Sequence, residues 1–189
     1  MHSVLLDTVG KFSDSERILF EKELRCRHIN KNEILLGKGE IATSVFFNVK
    51  GLLFQHKQKD DDVSTIVNLH LENEWVLNHK SFIIQEPADS CISSYTGGLV
   101  IELSIESIHH LIGCSLSFLQ LNKIMDSAVS RVHFFDNDST PVEKYLYILN
   151  NRPQLIQAFP LKMIASYLKI TPETLSRVRE KVTRSQNIS

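Results

Sequence analysis

The stretch FPLKMIASYLKITPETLSRVREKV, running from Phe159 to Val182, constrains this chain more than any other part of it. Leu161, Ile164, Ala165 and Leu168 fall at i, i+3, i+4 and i+7, so they share one helical face. Lys169, Ile170 and Thr171 make a turn, with Ile170 the residue expected between two helices. Thr171 is a good N-cap, and Pro172 suits the first helical position, where its missing N–H does no harm. Leu175, Val178 and Val182 then lie on one side of a second helix, flanked by Arg179. Glu173, Thr174, Ser176, Arg177, Glu180, Lys181 and Arg184 cover its other side.

Such a helix has the properties of a major-groove reader, which needs short polar groups near its N-terminus and cations further along. Arg177 can donate two hydrogen bonds to a guanine, and Glu173 can accept from a cytosine amino group. Thr171, Thr174, Ser176 and Lys181 complete the candidate DNA-binding set. A helical hairpin whose basic side simply faces water has the same pattern. Charge distribution favours the first reading. From Pro160 to Ser189 six cations meet two carboxylates, a local +4 within a chain of net charge −1, so the remainder carries −5. Counterion release rewards local charge rather than the total.

Upstream, to about Ile105, short apolar runs alternate with turn signals: EILLGKGE, SVFFNVKGLLFQHK, STIVNLHL and DSCISSYTGGLVIELS. Gly37, Gly39, Gly51 and the pair Gly97-Gly98 punctuate them, and KDDD reads as a polar loop. Many short strands with glycine turns indicate a sandwich or barrel rather than a parallel α/β sheet. A helix opening at Ser13, in SDSERILFEKEL, precedes them. A second helix, SIESIHHLIG, has Ser104 as candidate N-cap and Gly113 as its stop.

Cys114, Phe118, Leu121, Met125, Ala128, Val132 and Phe135 then recur at alternating spacings of four and three, an a/d stripe. It suits either a core contact with the chain's own barrel or a homodimer seam. We read it as the seam, with Leu119, Ile124 and Val129 turned to the barrel. FFDNDSTP reads as a hinge, after which Ser139 or Thr140 caps a helix with Pro141 at its first position. Val142, Tyr145, Leu146 and Leu149 are its apolar face, and Pro153 interrupts it. Expected divisions are therefore 1–112 for the barrel, 113–137 for the dimerisation helix and hinge, and 138–189 for the DNA-binding part.

Composition excludes several classes. With 42% hydrophobic and 23% charged residues the chain is ordinary for a globular protein. No run approaches the roughly 20 apolar residues of a spanning helix, and MHSVLLDTVGKF lacks the pattern of a signal peptide. Three scattered cysteines suit neither a disulfide framework nor a metal cluster, so a reducing cytoplasm is the expected location. The chain has no Gly-rich phosphate loop, nucleophile elbow or His-carboxylate metal motif, and no enzymatic activity is expected.

IASYLKITPETLSRVREKV resembles the helix-turn-helix of the Crp/Fnr family of bacterial transcription regulators, A-x-x-L-G-x-[ST]-x-E-T-[VL]-S-R. Ala165, Leu168, Thr171, Glu173, Thr174, Leu175, Ser176 and Arg177 match it. NKNEILLGKGEIATSVFFNVKGLL is similar to the start of that family's barrel, and the a/d stripe occupies the place of its dimerisation helix. The resemblance implies an α+β chain with three parts. These are an N-terminal double-stranded β-helix (jelly-roll, cyclic-nucleotide-binding-like) barrel, a long dimerisation helix and a C-terminal winged-helix-like helix-turn-helix domain. It further implies a homodimer on a palindromic site of double-stranded DNA, with Glu173 and Arg177 reading bases.

Departures are informative. Lys169 stands where the family usually has a turn glycine, and Pro172 replaces a residue that in some members is an arginine contacting DNA. The sequence ends soon after the recognition helix, which resembles a shorter branch without the β-wing. These features keep in view an alternative: a ligand-binding or protein-interaction module whose helix-turn-helix no longer contacts DNA. Members that bind cyclic AMP hold its phosphate with a Gly-Glu pair and an Arg followed by Ser or Thr. Here Asp89 stands at or beside the arginine's place, ahead of Ser90, in NEWVLNHKSFIIQEPADSCISSY. A carboxylate repels a phosphate, and His79 and Lys80 are the cations nearby in sequence. No tight cyclic-nucleotide binding is expected; Trp75, Asn78, His79, Lys80, Asp89 and Ser90 form the candidate pocket for an unidentified small-molecule effector. No cofactor is expected either. An iron–sulfur cluster needs four cysteines, and His79, His109 and His110 are the only haem-ligand candidates singled out.

Overall fold

A computed structural model describes residues 2–57, 65–126 and 139–186. Two helices come first, α1 (His2–Asp7) and α2 (Asp14–Lys22). Ser13 caps α2 in a reciprocal capping box: its hydroxyl accepts from the Glu16 amide while Glu16 accepts from the Ser13 amide at 2.8 Å. Glu16 also accepts a 2.6 Å hydrogen bond from the Ser115 hydroxyl, tying the helix to a segment 99 residues away.

Among the described residues eight strands follow: β1 (Arg25–Ile29), β2 (Ile34–Leu36), β3 (Ser44–Lys50), β4 (Leu53–Lys57), β5 (Thr65–His70), β6 (Glu74–Val76), β7 (Cys91–Ser94) and β8 (Gly98–Ser104). They form two four-stranded sheets, ordered β1-β8-β3-β6 and β2-β7-β4-β5, with every pairing antiparallel. The glycine-punctuated runs thus form the sandwich or barrel they suggested, in the two-sheet jelly-roll form that the resemblance implied. The turns need their glycines where strands pass closely: a Cβ on Gly98 would lie 1.9 Å from the Lys50 carbonyl oxygen, and Gly51 has a φ of 102°. Helix α3 (His79–Ile84), capped by Asn78, interrupts the strands. The expected loop at KDDD lies outside the described residues.

Leu53, Val45, Phe47, Val100, Ile101 and Leu103 fill the barrel, and Leu5, Leu6, Val9 and Phe20 of the N-terminal segment join the same cluster. So do Ile108 and Leu111 of α4 (Ile105–Cys114), which Ser104 caps and which runs one residue past Gly113.

Beyond α4 the structure corrects the heptad reading. Ser115 is extended, and Leu116–Leu121 form a 3-10 helix before helical geometry resumes over 122–126. In a 3-10 helix residues three apart eclipse one another. Phe118 and Leu121 therefore point together into the chain's own core, 0% and 2% exposed, with Phe118 stacked on Phe12 at 5.4 Å. Met125 is half-buried against the same cluster, so Phe118 and Leu121 offer no open seam and Met125 only a part of one. Ile124 turns inward as expected, but Leu119 does not: it is 48% exposed, and Leu116 is 74% exposed. Ala128, Val129, Val132 and Phe135, and most of the FFDNDSTP hinge, lie outside the described residues.

The remaining helices are α5 (Pro141–Asn151), α6 (Gln154–Ala158), α7 (Leu161–Tyr167) and α8 (Pro172–Gln186). Thr140 and Glu143 form a second capping box with Pro141 at its start. Tyr145, Ile148, Leu155, Phe159, Ile164, Ala165, Leu168, Leu175, Val178 and Val182 make a second core, and Ile66 and Leu69 of β5 belong to it. Helix α7 packs on β5 and on α8, which also packs on α5.

Hydrogen bonds from Ser115, then from Ser13, pull the Glu16 carboxyl down to about 2. A folded-state value below the unfolded one means that its stabilisation is present above about pH 4.5 and is lost as pH falls toward 2. Wild type should thus lose its stability advantage over Glu16→Gln across that window in urea melts run at stepped pH. A constant difference between the two proteins would contradict the assignment.

Candidate nucleic-acid interface and barrel cavity

Helix α7 ends in a Schellman motif. The Ile170 amide donates to the Ala165 carbonyl at 3.0 Å, and the Lys169 amide to Ser166 at 3.1 Å. This closure requires a left-handed residue between the cap and Ile170, and Lys169 adopts it with a φ of 57°. The family pattern's glycine thus marks a real conformational demand that this chain meets with lysine. Ile170 packs, half-buried, against the second core.

Thr171 then caps α8, its hydroxyl accepting from the Thr174 amide at 3.2 Å. Leu175, Val178 and Val182 are buried along one side of α8. Glu173, Ser176, Arg177, Glu180, Lys181, Thr183 and Arg184 are exposed on the other, and Arg179 is half-buried at the boundary. Of the six DNA-binding candidates, Thr171, Glu173, Ser176, Arg177 and Lys181 are exposed, while Thr174 is half-buried, with its hydroxyl 3.1 Å from that of Thr171. Glu173 is held below the usual carboxylate range by its own backbone amide first, then by the Thr171 hydroxyl and the Arg177 charge. It stays an anionic acceptor at neutral pH. A shallow groove of about 340 Å³ runs along the helix between Ser176, Arg179, Glu180, Thr183 and Arg184. Thr183 was absent from the sequence-level face, although its spacing from Arg179 and Ser176 places it there.

A separate cavity of about 510 Å³ opens into the barrel. Asn78, His79, Lys80, Asp89 and Ser90 line it, as the sequence suggested; Trp75 does not. The Trp75 ring is buried edge-on to Phe47 at 5.2 Å, and its indole N–H donates to Thr8 Oγ1 at 3.3 Å. Strands β4 and β5 supply Gln55, Lys57, Val67, Asn68 and His70 to the lining, and α3 supplies Ile83 and Ile84.

Sequence proximity missed the main cation. Lys57 Nζ lies 2.7 Å from Asp89 Oδ2, 32 residues away, and is the first cause of that carboxyl's lowered pKa, with Lys80 a lesser one. The carboxylate feared as a bare repellent is therefore paired. Three other polar groups are bonded to one another: Ser90 Oγ accepts from Gln55 Nε2 at 2.8 Å and from Asn78 Nδ2 at 3.0 Å. His56, on the outer face of β4, has its pKa lowered by burial.

No protein-family model and no curated protein matches this sequence. Solved structures do match its fold. FixK2 from Bradyrhizobium japonicum superposes with a TM-score of 0.67 at 17% identity, covering 86% of each chain. The c-di-GMP-responsive global regulator CLP of Xanthomonas campestris gives 0.61 at 15%, covering 92% of this chain and 93% of its own. The catabolite activator protein of Thermus thermophilus gives 0.52 at 13%, covering 94% and 86%.

The fold is that of the Crp/Fnr regulators. Within this Crp/Fnr fold, the helix-turn-helix and the cavity lie on opposite faces of one sheet. Leu69 and Ile66 of β5 face α7, while Asn68 and His70 face the cavity. A bulge between Ile66 and Asn68, opposite Gln55 and His56, sets this alternation.

At Lys169 two effects compete. Left-handed geometry costs a non-glycine residue about 1–2 kcal/mol, whereas glycine's extra freedom when unfolded costs roughly 0.5–1 kcal/mol. Lys169→Gly should therefore stabilise the protein by about 0.5–1 kcal/mol in urea denaturation. A destabilised variant would mean that the lysine side chain contributes more than its backbone costs.

Proposed function

We propose that this chain is a homodimeric, sequence-specific DNA-binding transcription regulator. The observation that carries the reading is the orientation of α8: its apolar side is consumed by α5 and α7, and its polar, cationic side is left to solvent. Arg177 and Glu173 stand one turn apart on that side, a donor for guanine and an acceptor for cytosine. Arg179, Lys181 and Arg184 follow at phosphate-gripping positions. Two copies related by a two-fold axis would present their recognition helices to successive major grooves of an inverted repeat, about 34–36 Å apart. Solved structures of the same fold belong to transcription regulators, which supports this reading. Among the described residues no helix is long and apolar enough to cross a membrane, in keeping with a cytoplasmic regulator.

The barrel cavity is the proposed effector site. Its mostly apolar walls, at Val67, Leu77, Ile83 and Ile84, and its neutralised Lys57–Asp89 pair suit a small amphipathic molecule. A cyclic nucleotide would need a free, buried guanidinium for its phosphate, and among the described residues no arginine lines the cavity.

Random-site selection with the purified protein tests the DNA reading; enrichment of an inverted repeat is expected, and no enrichment at low salt would leave a module that no longer binds DNA. Arg177→Ala should weaken specific binding by about 1–3 kcal/mol per half-site and relax the base preference there, with the dimer intact by sedimentation. Wild-type affinity in that variant would remove Arg177 from the interface. Titration calorimetry with cyclic AMP should give no saturable binding at millimolar ligand, and a saturating isotherm would restore the cyclic-nucleotide reading.

A further inference from the structure

Among the described residues strand β5 is an edge strand, paired on one side with β4. Such an edge leaves backbone donors and acceptors that natural proteins have to cover. Here the helix-turn-helix covers it through side chains. Ser166, on α7, accepts from the Ile66 amide at 2.9 Å. Arg152, which caps the end of α5, donates to the Leu69 carbonyl at 3.2 Å and to Glu74 Oε1 at 2.6 Å. Both partners of this ion pair are largely buried, 14% and 20% exposed. Glu74 is itself fixed by the Leu71 amide at 3.2 Å, and His70 Nδ1 lies 3.8 Å from it. On the helical side the buried Tyr167 phenol is pushed up by burial and drawn back by the charge and hydrogen bond of Arg152.

Around these polar contacts lies an apolar seal. Phe159 meets Tyr95 at 5.5 Å, and Tyr95 meets Phe54 at 6.4 Å. Apolar surfaces tolerate sliding, because dispersion and burial have little directionality. Two backbone hydrogen bonds and an ion pair at fixed strand positions do not. The register of the helix-turn-helix on the barrel is thus set at Ile66, Leu69 and Glu74.

We propose that Ser166 and Arg152 are positioning residues for DNA recognition: by gripping the edge of β5 they fix the angle at which α8 is presented, and so the half-site spacing a dimer accepts. The inference rests on the DNA-binding reading above for its consequence, but the grip itself can be measured without DNA.

The test uses the full-length protein, Ser166→Ala, and the paired variant Arg152→Met with Glu74→Gln, which avoids leaving a lone buried charge. Amide hydrogen exchange is followed at Ile66 and at Val178, and inverted repeats are selected with spacing varied by single base pairs. In the variants the Ile66 amide should exchange at least about tenfold faster, while Val178 within the α8 core keeps its protection. A single half-site should bind as in wild type, and the preference for one spacing should fall from about tenfold or more to within about threefold. Folded variants that keep both Ile66 protection and the spacing preference overturn the proposal. Should wild type select no DNA, the DNA-binding reading falls by itself, and the Ile66 exchange rate still decides whether the grip exists.

Discussion

Strand β5 has one hydrogen-bonding side occupied by β4 and the other exposed by topology. A buried amide or carbonyl without a partner costs on the order of 1–3 kcal/mol, so whatever packs against this edge must bring polar atoms to defined positions. Ser166 and Arg152 bring them. The second hydrophobic core then follows from this contact: Ile66 and Leu69 contribute to it from the sheet, and Phe159, Ile164 and Leu168 from the helices. Removing the helices would uncover both an apolar face and an unpaired strand edge. The helix-turn-helix is therefore as much a lid on the barrel as an appendage to it.

Much of this could be read from the sequence, because the signals were local. Ser13, Ser139 or Thr140 ahead of Pro141, and Thr171 ahead of Pro172 each announce a helix start locally, and the structure places caps at Ser13, Thr140 and Thr171. Glycine at 51 and 97–98 announced strand turns for the same reason. The α8 face was legible because helical spacing fixes which residues share a side. What failed was long-range. Phe118 and Leu121 satisfied an a/d rule that assumes an uninterrupted α-helix. The helix is interrupted at Ser115, whose hydroxyl is bonded to Glu16 99 residues away, and the chain continues at three residues per turn. Likewise Lys57 and Asp89 meet only because β4 and β7 are neighbours, so the charge of the cavity was misjudged from sequence proximity.

The cavity's chemistry follows from this pairing. With Lys57 committed to Asp89, and Gln55 and Asn78 both committed to Ser90, the polar groups stabilise the wall. In the effector reading proposed above, specificity would come from shape and apolar contact, with Lys80 and His79 placed to orient a polar end. That division also separates this cavity from one built around a buried phosphate, which would need its cation unpaired until the ligand arrived.

Geometry explains why α8 stays outside. Helix α7 is only seven residues long, about two turns. Two of its sides are taken, one by β5 and one by α8. The Schellman closure at Ala165 and Ile170 then redirects the chain immediately, with no slack for α8 to fold back. Helix α8 is thereby held one layer further from the barrel than α7, with its apolar stripe facing inward and its cations outward. The same strand residues that alternate toward α7 have neighbours, Asn68 and His70, that alternate toward the cavity. Adjacent residues of β5 share one hydrogen-bonded ladder with β4, Phe54 opposite Leu69 and Gln55 opposite Asn68, which restrains them from shifting separately. Asn68 and His70 on the cavity wall thus sit on the same ladder as Ile66 and Leu69, whose amide and carbonyl Ser166 and Arg152 hold.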